Sequence, residues 1–141
     1  MSIEKALYDY LSTKAGVVAQ VSTRVYPDIA PESAVYPFIT VTITNETHDH
    51  HMQGGSGLAN PTIQLDVWAE TLPTRIAAAE AVRLSLDGFR GAMGTDSLSI
   101  RSCFLVNKSN FQEQDAEGRG NPVYRSSMDF SIWHVEIVPT L

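Results

Sequence analysis

Thr62-Ile63-Gln64-Leu65-Asp66-Val67-Trp68-Ala69 is the stretch on which the fold turns. Ile63, Leu65, Val67 and Ala69 share one parity, and Thr62, Gln64, Asp66 and Trp68 the other. That alternation has the period of a β-strand with one face on an apolar core. Phe38 to Thr44 repeats it upstream, Ile39, Val41 and Ile43 alternating with Phe38, Thr40, Thr42 and Thr44. β-branched threonines suit a partly exposed sheet face. Downstream, Leu98 to Val106 forms a third main strand. Val123 to Val138 is a final strand, or two strands joined by a bulge. Its apolar side changes from Tyr124, Met128, Phe130 and Ile132 to Trp133, Val135 and Ile137, which is what a bulge would produce. Arg24-Val25-Tyr26-Pro27 is a short extended segment, followed by an ordered loop over 28–37 that contains Pro31 and Pro37.

The helical period appears twice. Ile3, Ala6, Leu7, Tyr10 and Leu11 mark a helix over 3–15, with Ser2 as its N-cap and Gly16 as its stop. Val17 to Val21 is a turn or a brief helical piece. Thr71 caps a second helix with Pro73 in its first turn; Ile76, Ala79, Val82 and Leu86 form its apolar stripe, widened by Leu72 and Ala78. Gly88, Gly91 and Gly94 follow as a small-residue turn. These elements predict an α+β fold: a mostly antiparallel four- to five-stranded sheet with two helices packed on one face. The opposite face carries Trp68 among polar groups, a mixture that suggests partial cover by a neighbouring subunit.

The chain is one domain spanning 1–141, long enough for a real core. Two long connections interrupt it, at about 45–61 and 107–121. Structureless stretches of that length usually bind something or move. The net charge of -6 argues against a general nucleic-acid binder. Cys103 is the sole cysteine, so no intrachain disulfide forms, which fits a reducing compartment. No run approaches the length of a membrane span, and the N-terminus lacks a signal core. The expectation is a soluble protein that folds inside a cell.

Nothing assembles into a catalytic or cofactor motif. His48, His50 and His51 attract attention as metal ligands, but no motif completes a set of three or four convergent donors, so they read as a solvated or interface loop. Gly54-Gly55-Ser56-Gly57 lacks the lysine of a phosphate-binding loop and the spacing of a dinucleotide fingerprint; flexibility is its reading. No serine occupies a Gly-x-Ser-x-Gly turn, and Cys103 reads as a small sheet residue. Asp66 and Glu70, on either side of Trp68, read as a solvated face rather than paired acids. The arginines are dispersed and the aromatics do not interleave with a basic stripe. The expected protein is not an enzyme and holds no metal or cofactor.

Three segments in order carry a resemblance: Arg24-Val25-Tyr26-Pro27, then Pro37-Phe38-Ile39-Thr40-Val41, then Thr62 to Ala69. With the opening helix, the Ala-rich helix at 74–87 and the closing strands, the chain resembles the small tail-completion, or tail-terminator, proteins of long-tailed bacteriophages and gene transfer agents. The resemblance implies a structural ring subunit, commonly a hexamer. Such a ring caps the head-proximal end of a tail tube, stops its polymerisation and joins it to the filled head. The implied partners are further copies of the chain, the tail tube protein and a head completion or connector protein, with DNA only as passing cargo and no membrane. The implied place is the head–tail interface of a virion or gene transfer particle assembled in the bacterial cytoplasm. A head-side adaptor and a small non-viral binding module are the alternatives, and a metal-dependent hydrolase built on the histidines ranks behind both.

Closed rings join one surface to a different surface of the next copy. Loops on a rigid scaffold are good docking elements. The residues expected to face partners are therefore His48, His50, His51, Gly54 and Gly55 in the first connection, and Lys108, Glu113, Asp115 and Arg119 in the second.

Overall fold

The computed structural model describes residues 2–113 and 122–138. Helix α1 spans Ile3–Thr13 and helix α2 spans Ala15–Val21. Strands β1 (Val25–Pro27), β2 (Phe38–His51) and β3 (Gly54–Ala69) follow, then helix α3 (Leu72–Leu86). Strands β4 (Gly91–Met93), β5 (Leu98–Glu113) and β6 (Val123–Val135) come next. The strands form one sheet in the order β1-β2-β3-β6-β5-β4. β1 lies parallel to β2 and every other neighbouring pair is antiparallel.

The fold class expected from sequence is corrected here. Among the described residues the sheet is mixed and six-stranded, curls into a half-barrel, and carries three helices, not two. Two short elements make the difference: the brief helical piece read at Val17 to Val21 is a helix in its own right, and the turn after α3 holds a strand. α2 is only 7 residues long, and β4 is 3 residues of a glycine-bounded segment that reads as a turn. Gly16 does not stop α1; Lys14 is the cap, and Gly16 lies inside α2. The long strands also outrun their expected ends. β2 continues from Thr44 to His51, β3 begins at Gly54 instead of Thr62, and β5 continues from Val106 to Glu113. The connection expected at 45–61 is therefore a paired hairpin, and half of that expected at 107–121 is strand. Polar, exposed strand residues lose the alternating signal while keeping the backbone ladder.

The helix ends follow their caps. Ser2 Oγ accepts the Lys5 amide at 3.1 Å, and Thr71 Oγ1 accepts the Thr74 amide at 3.3 Å. The core lies between the helices and one sheet face. Leu7 and Leu11 of α1, Val17 and Val21 of α2, and Ala79, Val82 and Leu86 of α3 are buried against Ile39, Ile63, Leu65, Met128, Phe130 and Ile132. The Tyr10 hydroxyl donates to the Ser85 carbonyl at 2.7 Å and so ties α1 to α3. Ile76, expected in the core stripe of α3, is instead half exposed.

β6 keeps a single buried parity along its length: Ser126, Met128, Phe130, Ile132 and His134. The bulge expected in β6 lies in β5, whose register against β6 slips between Ile100 and Ser102 and again between Leu105 and Asn107. Trp133 and Val135 are half-buried residues of the other face, which is why the apolar side seemed to change.

Gly94 closes the turn after β4 at φ 77°, and a Cβ there would lie 2.9 Å from Ala6 Cα. Beside it, Asp9 accepts the Thr95 hydroxyl at 2.8 Å and the Lys5 ammonium at 3.1 Å, so the turn is fastened to α1. Gly94→Ala is expected to destabilise the fold by about 2 kcal/mol, through overpacking and an unfavourable φ. Gly16→Ala, in open space within α2, is expected to stabilise it by about 0.5 kcal/mol. Urea denaturation midpoints check both signs.

Candidate interaction surface

The face turned away from the helices is organised by register. Phe38 pairs with Trp68, Trp68 with Arg125, and Arg125 with Phe111. Residues directly opposite in neighbouring strands point to the same face, so these four form one row across β2, β3, β6 and β5. The Arg125 guanidinium carbon lies 5.0 Å from the Trp68 ring centre and 5.2 Å from that of Phe111, a cation held between two aromatic rings. Arg125 Nη2 donates to Asp66 Oδ1 at 3.2 Å, and Gln64 Nε2 donates to Asp66 Oδ2 at 3.0 Å. Asp66 is only 6% exposed, so these donors replace the water its carboxylate has lost.

Beyond Trp68 the row opens into a cavity of about 330 Å³. Tyr36, Phe38 and Trp68 wall it, with ring centres 5.1 Å apart for Tyr36–Phe38 and 6.1 Å for Phe38–Trp68. The turn Asp28-Ile29-Ala30 forms its rim. That turn is tight: Asp28 stands at φ 58°, its amide donates to the Val41 carbonyl at 2.8 Å, and Ile29 is left 84% exposed. Trp68 Nε1 donates to Thr40 Oγ1 at 3.3 Å, which satisfies the indole inside the wall.

The second surface is at the other end of the same strands. β6 last pairs with β3 at Val135 and Leu58, while the β2–β3 hairpin continues alone to His51 and Gly54. This arm rests on the segment after β6. The Glu136 amide donates to the Gly57 carbonyl at 2.8 Å, and His48 Nδ1–H donates to Glu136 Oε2 at 2.6 Å. Gly57, at φ 87°, leaves room for Val138, whose Cγ2 would lie 3.5 Å from a Cβ there. Ser56 Oγ donates to Asp49 Oδ2 at 2.8 Å and braces the hairpin across its width. At its tip Met52 is fully exposed.

The expected partner-facing residues divide accordingly. His48, His50, Gly54 and Gly55 do come together, lining one cleft with Glu136 and Val138. His51 sits at the tip, its Nδ1 accepting the Gln53 amide at 3.1 Å. Lys108 lies mid-strand, paired with Met128 on the helix side and near enough to Glu80 to help lower its pKa. Glu113 ends β5 opposite Val123. Asp115 and Arg119 lie outside the described residues. Among the described residues no cluster of three or more His, Cys, Asp or Glu side chains suits a metal. Asp66 is engaged by Arg125 and is not poised as one of a pair with Glu70. The aromatic row has no signature in the sequence beyond Trp68 among polar neighbours; the strand register brings Phe38, Arg125 and Phe111 beside it.

The three segments that carried the family resemblance are neighbours in space. Val25 pairs with Ile39, Phe38 pairs with Trp68, and Arg24 Nε donates to the Pro37 carbonyl at 2.8 Å. A family model described as Tail completion protein gp17 matches residues 5–135. The chain belongs to this tail completion family. Its fold is also that of a chain in the solved structure titled "Virion of native gene transfer agent (GTA) particle", with a TM-score of 0.75, 18% identity and 95% of each chain covered. No curated protein matches the sequence.

Two measurements test the electrostatics of this tail completion fold. Cys103 is fully buried, and burial, with Asp87 nearby, pushes its thiol from 9.0 up to about 12. The unfolded thiol ionises first, so its contribution to stability is lost as pH rises from 9.0 and levels off above about 12. Cys103→Ala is expected to lack that alkaline component, read as the difference between the two stability–pH curves. Arg125→Ala leaves Asp66 buried without its cation and is expected to cost about 1–3 kcal/mol in denaturant unfolding. Arg125→Lys is expected to recover only part of it, since an ammonium cannot fill the planar slot between two rings.

Proposed function

We propose that the chain is a structural ring subunit that caps the head-proximal end of a tail tube, stops its polymerisation and presents the surface to which the filled head joins. Membership of the tail completion family, matched over residues 5–135, is the observation that carries this reading. The shared fold with a chain of a gene transfer agent virion supports a place for it in a phage-like particle. The role is one of assembly, not catalysis.

The geometry supports a ring in particular. The aromatic row and the arm are unlike surfaces at opposite ends of the same long strands. Contacts between unlike surfaces repeat from copy to copy, and a ring ends the repetition when the rotation closes. A hexamer is the expected closure, with the tail tube protein on one side and a head completion or connector protein on the other. DNA is passing cargo: a subunit with a net charge of -6 offers a phosphate backbone little to hold it.

Light scattering and negative-stain microscopy, with and without tail tubes, test the reading. The expected result is a six-fold ring, free in solution or seated at one tube end. A monomer or dimer that also ignores tubes overturns it, and binding to heads but not tubes replaces it with a head-side adaptor. Strong, salt-sensitive duplex binding by the ring would overturn the view of DNA as cargo only.

A further inference from the structure

We propose that the arm of each copy docks on the next copy, with Met52 seated in the cavity walled by Tyr36, Phe38 and Trp68. This inference rests on the ring reading and names the contact that builds it. Met52 is the apolar head of an otherwise polar tip, fully exposed on a hairpin that is braced along its length. The cavity offers aromatic walls in about 330 Å³ and an exposed Ile29 at its lip. A thioether against ring edges is a favourable pairing, and the unbranched side chain adapts to an irregular hole.

The occupant is a second copy because the arm cannot reach its own cavity. β2, a strand of 14 residues, begins at Phe38 in the cavity wall and ends at His51 beside Met52. At the usual rise that is about 40 Å of paired strand. The polar chemistry is also complementary. His51 Nδ1 accepts the Gln53 amide, so its Nε2 carries the proton and is a donor at the tip. Asp28 places a carboxylate on the cavity rim to accept it. Arm-into-cavity contact is heterologous, the kind of contact a closed ring requires.

The test is disulfide trapping in Met52→Cys/Ile29→Cys, with each single variant as control. Both positions are exposed, and native Cys103 is fully buried. Mild oxidation of the double variant, in solution and on tail tubes, is expected to give a covalent ladder ending at the size of the ring. Neither single variant should form more than a trace of dimer. Met52→Asp should melt like wild type as a monomer and need at least tenfold more protein to assemble. Rings of normal mass with no ladder, or Met52→Asp assembling at wild-type concentration, would overturn the docking and leave the ring reading standing. Dimers of Met52→Cys alone would overturn it by showing a two-fold contact between arms. Absence of any oligomer, with or without tubes, would overturn both readings together.

Discussion

The helices of this chain cover one face of its sheet, and the sheet has two. Everything else in the molecule follows from that imbalance. On the covered face, burial of apolar side chains from α1, α2 and α3 against Ile39, Ile63, Leu65 and Phe130 supplies the main stabilisation. Among the described residues no second layer covers the other face, so the sheet protects itself with side chains. Thr42, Gln64, Ser127 and Ser131 are among the polar residues that line this face. Aromatic rings gather where Tyr26, Tyr36 and Trp68 crowd around Phe38, which is only 7% exposed as a result. Phe38 thus forms a small second core, built from one sheet face and the turn after β1.

The length of the strands is the second consequence. β2, β3 and β5 have 14, 16 and 16 residues, roughly three times the usual strand. The apolar core occupies only the middle of that length. Near the β2–β3 tip the ladder persists because the hairpin carries its own hydrogen bonds and leans on Glu136 and Val138. An arm of this kind is held by backbone pairing more than by packing. It can project from the body without an unpaired backbone, which a loop of the same length could not do.

The sequence shows the core well and the arms poorly, for one reason. Period-two alternation exists only where one face is buried, as at Ile63, Leu65 and Val67. From Asn45 to His51 both faces meet water, the selection for alternation is gone, and histidines with nearby glycines read as a loop although the ladder continues. Short elements fail for a different reason. β4 holds only Gly91, Ala92 and Met93, and its place in the sheet is set by pairing with Leu98 to Ile100, a relation between segments that no local pattern carries. The same holds for the candidate surface. Trp68 was visible as an odd residue among polar neighbours, but its row with Arg125 and Phe111 depends on the β3–β6 and β5–β6 registers. In β5 two single-residue slips invert the parity at Cys103 and Leu105 and restore it before Phe111, so the faces of this strand cannot be followed from Leu98 by alternation alone.

The Arg125–Asp66 pair has to be explained in that setting. A largely buried ion pair adds little net stability, because desolvation offsets most of the attraction. An apolar pair of the same volume would fold as well and would extend the aromatic patch further across the sheet. A longer apolar patch, however, would bind any apolar surface in any orientation. The guanidinium divides the row at a fixed place, with Phe111 on one side and the Trp68 cavity on the other. Its carboxylate partner is held by Gln64 as well, so the division cannot drift along the strand. Specificity of this sort arises from the cost of leaving such groups without partners in a wrong contact. In the proposed ring, where each copy joins the next in one register, a bounded cavity serves better than a continuous sticky face.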